Sequence, residues 1–131
     1  MKFRRLDSFF FWSLFFLLLD QVSKNWSLSQ TGLFVYHNYG ITFGLFPGNI
    51  PVRILHWIVT YLLIFLLVKH SWDGLVQRHL LTIFYVSLII GGSLGNTFDK
   101  IIKGYVVDFI NFGMFIPFWP SDWYTNLADV F

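Results

Sequence analysis

The chain has 131 residues, of which 56% are hydrophobic and only 12% charged, with 17 Phe, 6 Trp and 6 Tyr; that balance fits a chain solvated by lipid better than an ordinary soluble domain. The net charge of +2 comes from scattered Lys and Arg, with no basic run to neutralise a row of phosphates, so nucleic acid is not an expected partner. Having no cysteine, the chain can build no disulfide framework, thiolate nucleophile or Cys-based metal site.

In chain order, Lys2, Arg4 and Arg5 precede a mostly apolar stretch from Phe9 to Leu28, interrupted by Ser13 and by the polar group Asp20, Gln21, Ser23, Lys24, Asn25 and Ser27. A cleaved secretory signal starts the same way. Its only small-x-small triplet, Ser27-Leu28-Ser29, follows Asp20, Lys24 and Trp26, a poor recognition region for a leader peptidase, so the stretch reads as a retained first span. Ile50 to Val68 and Leu80 to Phe98 are each long enough to cross a hydrocarbon core at about 1.5 Å per residue. The loop Lys69 to His79 between them carries Lys69, Arg78 and two His. By the positive-inside rule this loop and the N-terminus are cytoplasmic, although Lys24, Arg53, Lys100 and Lys103 fall on the other side.

The expected fold is therefore an all-α membrane protein with three transmembrane helices in one domain, residues 1–131, with an outer loop at 29–49 and an outer segment at 99–131. In the outer loop, Leu33 to Asn38 and Ile41 to Phe46 read as two short strands around a Tyr39-Gly40 turn, a small β-hairpin. Val106 to Tyr124, rich in Phe and Trp with Pro117 and Pro120, suits the headgroup region.

Three spans in alternation make the first and third run the same way, so their C-terminal ends share one membrane face. Those ends hold Asp20, Lys24, Asn96, Asp99 and Lys100, and Asp108 and Asp129 follow on that side. Charges near a bilayer are costly, and clustering at a common depth points to one functional site. Asp20 and Lys24 are spaced i, i+4, acid first, as an ion pair requires. Gly91 and Gly95, with Gly92 and Ser93 between them, make a smooth face for close helix packing. His37, His56, His70 and His79 show no paired ligand spacing, and Ser93 has no nearby His, so neither a metal, a cofactor nor a nucleophilic serine is expected. From these residues alone, a non-enzymatic membrane binding or assembly protein remains an alternative. So does a proton or cation pathway, although that calls for acids in mid-span and these lie at span ends.

The blocks Asp20-Gln-Val-Ser-Lys24, Asn38-Tyr-Gly40-Ile-Thr-Phe43-Gly44, Gly91-Gly-Ser-Leu-Gly95-Asn96-Thr-Phe-Asp99-Lys100 continuing to Gly104-Tyr-Val-Val-Asp108-Phe-Ile, and Asn126-Leu-Ala-Asp129 together resemble, in order, the motifs of the lipoprotein signal peptidase (signal peptidase II) family. The resemblance implies an aspartyl endopeptidase of the bacterial inner membrane that cleaves diacylglyceryl-modified prolipoproteins before the lipidated Cys. Its N-terminus would be cytoplasmic and its active site would face the periplasmic or outer side, with lipid-modified prolipoproteins and membrane lipids as partners. It implies that Asp108 and Asp129 are the catalytic pair, and that Asp20, Lys24, Asn38, Gly40, Asn96, Asp99, Lys100 and Asn126 bind substrate or support the pair.

The chain departs from the family pattern at Lys100, where Arg is usual, and at Thr125, where Phe is usual. Lys keeps the charge but loses the planar two-pronged donor. The family continues from its last Asp into a fourth transmembrane helix, whereas Val130 and Phe131 alone follow Asp129 here; the expectation is a truncated member with reduced or no activity.

Overall fold

A computed structural model describes residues 7–77, 79–111 and 123–131. The basic start at Lys2, Arg4 and Arg5, Arg78, and most of the aromatic outer stretch lie outside the described residues. Three long helices stand where the sequence leads one to expect spans: α1 (Asp7–Ser29), α2 (Ile50–Val76) and α3 (Leu80–Ile102). Among the described residues, four two- or three-residue strands, β1 (Tyr36–Asn38), β2 (Val106–Asp108), β3 (Ile110–Asn111) and β4 (Tyr124–Thr125), a 3-10 turn (Thr42–Gly44) and a short helix α4 (Leu127–Val130) accompany them.

Helices α2 and α3 are long and apolar enough to cross a bilayer. Their outer faces leave Ile54, Leu55, Ile58, Leu62, Phe65, Leu80 and Ile101 exposed, a surface that lipid covers at no desolvation cost. Helix α1 is as long as α3, and its polar residues Ser13, Asp20, Lys24 and Ser27 are buried. Its apolar residues Phe10, Phe11, Leu14, Leu18 and Val22 are exposed. This inversion of a soluble helix is what burial against a neighbouring helix in lipid produces.

Cross-links between helices fix their directions. Ser87 Oγ donates to Phe9 O at 3.2 Å and Gln21 Nε2 donates to Gly95 O at 3.2 Å, so residue numbers rise together and α1 and α3 are parallel. Gly74 of α2 lies against Thr82 of α3 and Tyr61 bonds Thr97, so α2 runs antiparallel to α3. The glycine face works as its spacing implies. A methyl at Gly91 would stand 2.7 Å from Phe16 Cβ, and one at Gly92 2.6 Å from Ala128 O; one at Gly95 would overlap the Asp20 carboxylate.

Away from the polar end, Leu75, Ile83 and Val86 form the buried core, packed by Phe9, Trp12, Val68 and Ile90. Leu75 explains a difference from expectation: α2 does not stop at Val68 but continues through Lys69 to Val76, because Leu75 buries its side chain in that cluster. The loop to α3 is correspondingly shorter than 69–79. At the other end of α3, Gly104 adopts φ +83°, a left-handed conformation that reverses the chain after the helix at little steric cost.

The outer loop does contribute to an antiparallel strand pair, but not as the local hairpin expected. β1 pairs with β2, with Tyr36 opposite Asp108 and Asn38 opposite Val106, while Thr42–Gly44 forms a single 3-10 turn. Residues 41–46 cannot fold back as a strand because Ile41 N donates to Leu45 O at 2.8 Å. That bond draws Leu45 O and Gly44 onto Gly40, where a side chain would collide with both. A second pair, β3 with β4, sets Ile110 opposite Thr125.

Candidate active site

The parallel course of α1 and α3 delivers their polar ends to one place, and burial there obliges each charge to find a partner. Lys24 is fully buried. Its ammonium lies 2.7 Å from Asp20 Oδ2 and 3.1 Å from Asp99 Oδ2 and donates to Asn96 Oδ1 at 2.8 Å. Three partners match its three protons. Asp99 is also 2.8 Å from the Lys103 ammonium and accepts from Val107 N at 3.3 Å, which ties α3 to β2. Asp20 accepts from Ala128 N at 3.1 Å, which ties α1 to the start of α4.

On this base stand the two carboxylates of interest. Asp108 ends β2 and is 1% exposed. Its Oδ1 accepts from Asn126 Nδ2 at 2.5 Å and its Oδ2 from Asn38 Nδ2 at 3.1 Å. Burial, and then the negative charge of Asp129, push the Asp108 carboxyl up to about 7. Asp129 is exposed and sits in α4. Its Oδ1 accepts from Asn96 Nδ2 at 2.8 Å and its Oδ2 from Thr125 Oγ1 at 3.0 Å.

Asn126 joins the two. It is fully buried, caps α4 by accepting from Asp129 N at 3.2 Å, and donates to Asn96 Oδ1 at 3.2 Å as well as to Asp108. An N-cap amide is a common way to start a helix; here the cap residue also holds the Asp108 carboxylate and, through Asn96, reaches that of Asp129. Asn38 closes the other side, its Oδ1 accepting from Gly40 N at 3.0 Å. Lys100 donates to Gly40 O and so braces the outer loop.

A cavity of about 260 Å³ opens beside this cluster, and Asp129, Asn96, Lys100 and Asn38 line one side of it. His56, Thr60 and Tyr61 of α2 line the opposite side. Of the residues singled out in the sequence, Asp20, Lys24, Asn96, Asp99, Asn126, Asn38, Asp108 and Asp129 form one connected network, while Lys100 and Gly40 form its rim.

Sequence reasoning missed Lys103 as a partner of Asp99, although the i, i+4 rule applied to Asp20 and Lys24 would have found it. It also missed the bond from Thr125 to Asp129, for which spacing gives no signal because the helix begins only at Leu127. The α2 wall with His56 and Tyr61 was missed too, since an apolar span hides its few polar positions.

Residues 12–131 match the family model described as signal peptidase (SPase) II. The lipoprotein signal peptidase of Syntrophomonas wolfei is 36% identical over 134 aligned positions, covering 91% of this chain and 82% of the relative. That of Caulobacter vibrioides is 34% identical, covering 86% of this chain and 72% of its own. A bacterial membrane enzyme solved by the in meso method at 2.3 Å resolution shares the fold, with a TM-score of 0.65 at 24% identity over 93% of this chain and 78% of the solved one.

Proposed function

Because the chain belongs to the signal peptidase (SPase) II family, we propose that it removes signal peptides from diacylglyceryl-modified prolipoproteins by an aspartyl mechanism, cutting before the lipidated Cys. Asp129, which lines the cavity, takes a proton from water as the water oxygen bonds to the scissile carbonyl carbon. Asp108, protonated, gives its proton to the carbonyl oxygen as negative charge develops there. The tetrahedral species collapses when the proton held by Asp129 passes to the amide nitrogen, the C–N bond breaks, and Asp108 takes back a proton from a hydroxyl on the same carbon. The products are a signal peptide with a free carboxyl and a lipoprotein with a Cys amine.

What carries this reading is one observation: the two carboxylates share one network, Asp108 held by Asn126 and Asp129 by Asn96, which Asn126 also bonds, but they differ in burial, so that one retains a proton near neutral pH while the other meets the cavity. Two carboxylates in unlike surroundings divide the acid and base roles. A synthetic prolipoprotein peptide bearing the diacylglyceryl Cys, incubated with the purified chain in detergent, is expected to yield a fragment whose mass begins at the modified Cys. No cleavage, or cleavage elsewhere, would overturn the reading.

On the same reading the chain sits in the bacterial inner membrane with its N-terminus in the cytoplasm and the Asp108 and Asp129 end at the outer face. Since the chain has no cysteine, single Cys substitutions report sidedness without background. In intact spheroplasts Thr31→Cys should react with an impermeant maleimide and Gln77→Cys should be protected. The reverse pattern would invert the topology.

A further inference from the structure

Among the described residues, two side-chain donors from different elements meet the carboxylate of Asp129: Asn96 of α3 on Oδ1 at 2.8 Å, and Thr125 of β4 on Oδ2 at 3.0 Å. We propose that the Thr125 hydroxyl is a positioning group for the cleavage reaction, fixing the plane of the Asp129 carboxylate so that its free lone pairs face the cavity. The proposal rests on Asp129 being the base, as argued above.

Asp129 cannot be oriented by packing alone, because it is exposed and carried by a four-residue helix. The terminal torsion of an Asp side chain is broad and roughly two-fold, so a single donor on one oxygen leaves the plane free to swing. Thr125 is in a position to supply the second. It is 6% exposed, and its carbonyl accepts from Phe109 N at 2.9 Å, the residue directly after Asp108. Its hydroxyl therefore rests on the strand frame that also holds the proposed acid, and the spacing between the two carboxylates becomes a property of that frame.

The direction of the bond suits a base. An ionised carboxylate only accepts, and a hydroxyl has one proton to give. The bond is thus charge-assisted and strongest in the state that must take a proton from water. Asn96 is itself held by Lys24 and Asn126, so the two donors anchor the carboxylate to α1 and α3 on one side and to the β strands on the other. Phe at this position, the residue the family pattern leads one to expect, has no proton to donate.

The same bond also resembles a helix-capping contact, a hydroxyl two residues before α4 bonding a residue inside it. The test must separate the two. Thr125→Val keeps the shape and removes the hydroxyl, Thr125→Ser keeps the hydroxyl, and Thr125→Ala is a second hydroxyl-free variant should Val pack badly.

Assayed on the lipidated peptide beside wild type and Asp129→Asn, Thr125→Val is expected to lower kcat roughly tenfold with KM little changed, the scale set by losing one hydrogen bond to a charged group. Tm in detergent should stay near that of wild type, and Thr125→Ser should recover most of the rate. Full activity of both hydroxyl-free variants in a cleaving wild type overturns this proposal alone. So does a rate loss that follows Tm and that Ser does not restore, since capping then accounts for it. Wild-type activity in Asp129→Asn overturns the base assignment and this proposal with it.

Discussion

Asp108→Asn is expected to lower the cleavage rate by about 10³-fold or more, the upper range for loss of a positioned acid, while the helices stay packed. Asn has the shape of Asp and can still accept a hydrogen bond from Asn126 or Asn38, which hold Asp108 now, but it has no proton to transfer to the carbonyl oxygen. The same group sets an upper limit of pH. Asp108 is pushed up to about 7 by burial and by Asp129, so wild-type cleavage should fall with rising pH above that value as the acid loses its proton, about tenfold per unit.

Stability should move in a related way. A carboxyl raised in the folded state relative to the unfolded value of 3.8 contributes stability that is fully present below pH 3.8 and lost as pH rises through about 7. Wild type should therefore lose Tm across that window through this group, and Asp108→Asn should not. Rate and Tm measured across pH 4 to 9 check both statements. An Asn variant cleaving within about tenfold of wild type would remove Asp108 from the chemistry.

The largest effect on the fold is expected from Lys24→Met, at about 3–5 kcal/mol, the usual consequence of removing one partner from a buried ion pair. Met fills much of the space of the lysine stem, so the loss isolates the charge. Without it, the buried carboxylates of Asp20 and Asp99 lose the cation between them, and Asn96 Oδ1 loses one of its two donors. Because Asp20 also holds Ala128 N, the disturbance reaches the residue beside Asp129, and cleavage should fall with Tm. Adding Asp20→Asn should restore part of the stability, since one buried carboxylate then no longer needs a cation; the double-mutant cycle reads the coupling. A Lys24→Met protein as stable as wild type would mean that the triad contributes nothing.

What could be read from the chain was whatever depends on spacing within one segment. Apolar stretches gave three helices, the small-residue face of α3 gave its contact with α1, and i, i+4 spacing gave the Asp20 and Lys24 pair. What depends on two segments meeting could be inferred only in outline. Parallel helices imply that Lys24 comes near α3, but not that it inserts between Asp20 and Asp99. The pairing of β1 with β2 joins residues separated by two helices, and no local pattern in Leu33 to Phe46 announces it. The same sequence reads equally well as a hairpin until Gly40 is found pressed against Leu45 and Gly44.

The two buried acids of α1 and α3 each also have a counter-charge close by in sequence. Asp20 is paired with Lys24 four residues on in α1, and Asp99 with Lys103 four residues on at the end of α3. A lone charge entering a bilayer costs about 2.5–3.5 kcal/mol on insertion scales. Asp20 can therefore enter the membrane already paired before α3 has been synthesised, and Asp99 finds its cation without α1. The bridge from Lys24 to Asp99 is then a second-stage contact, formed when finished helices meet, and the site assembles from pieces that are each tolerable to lipid on their own.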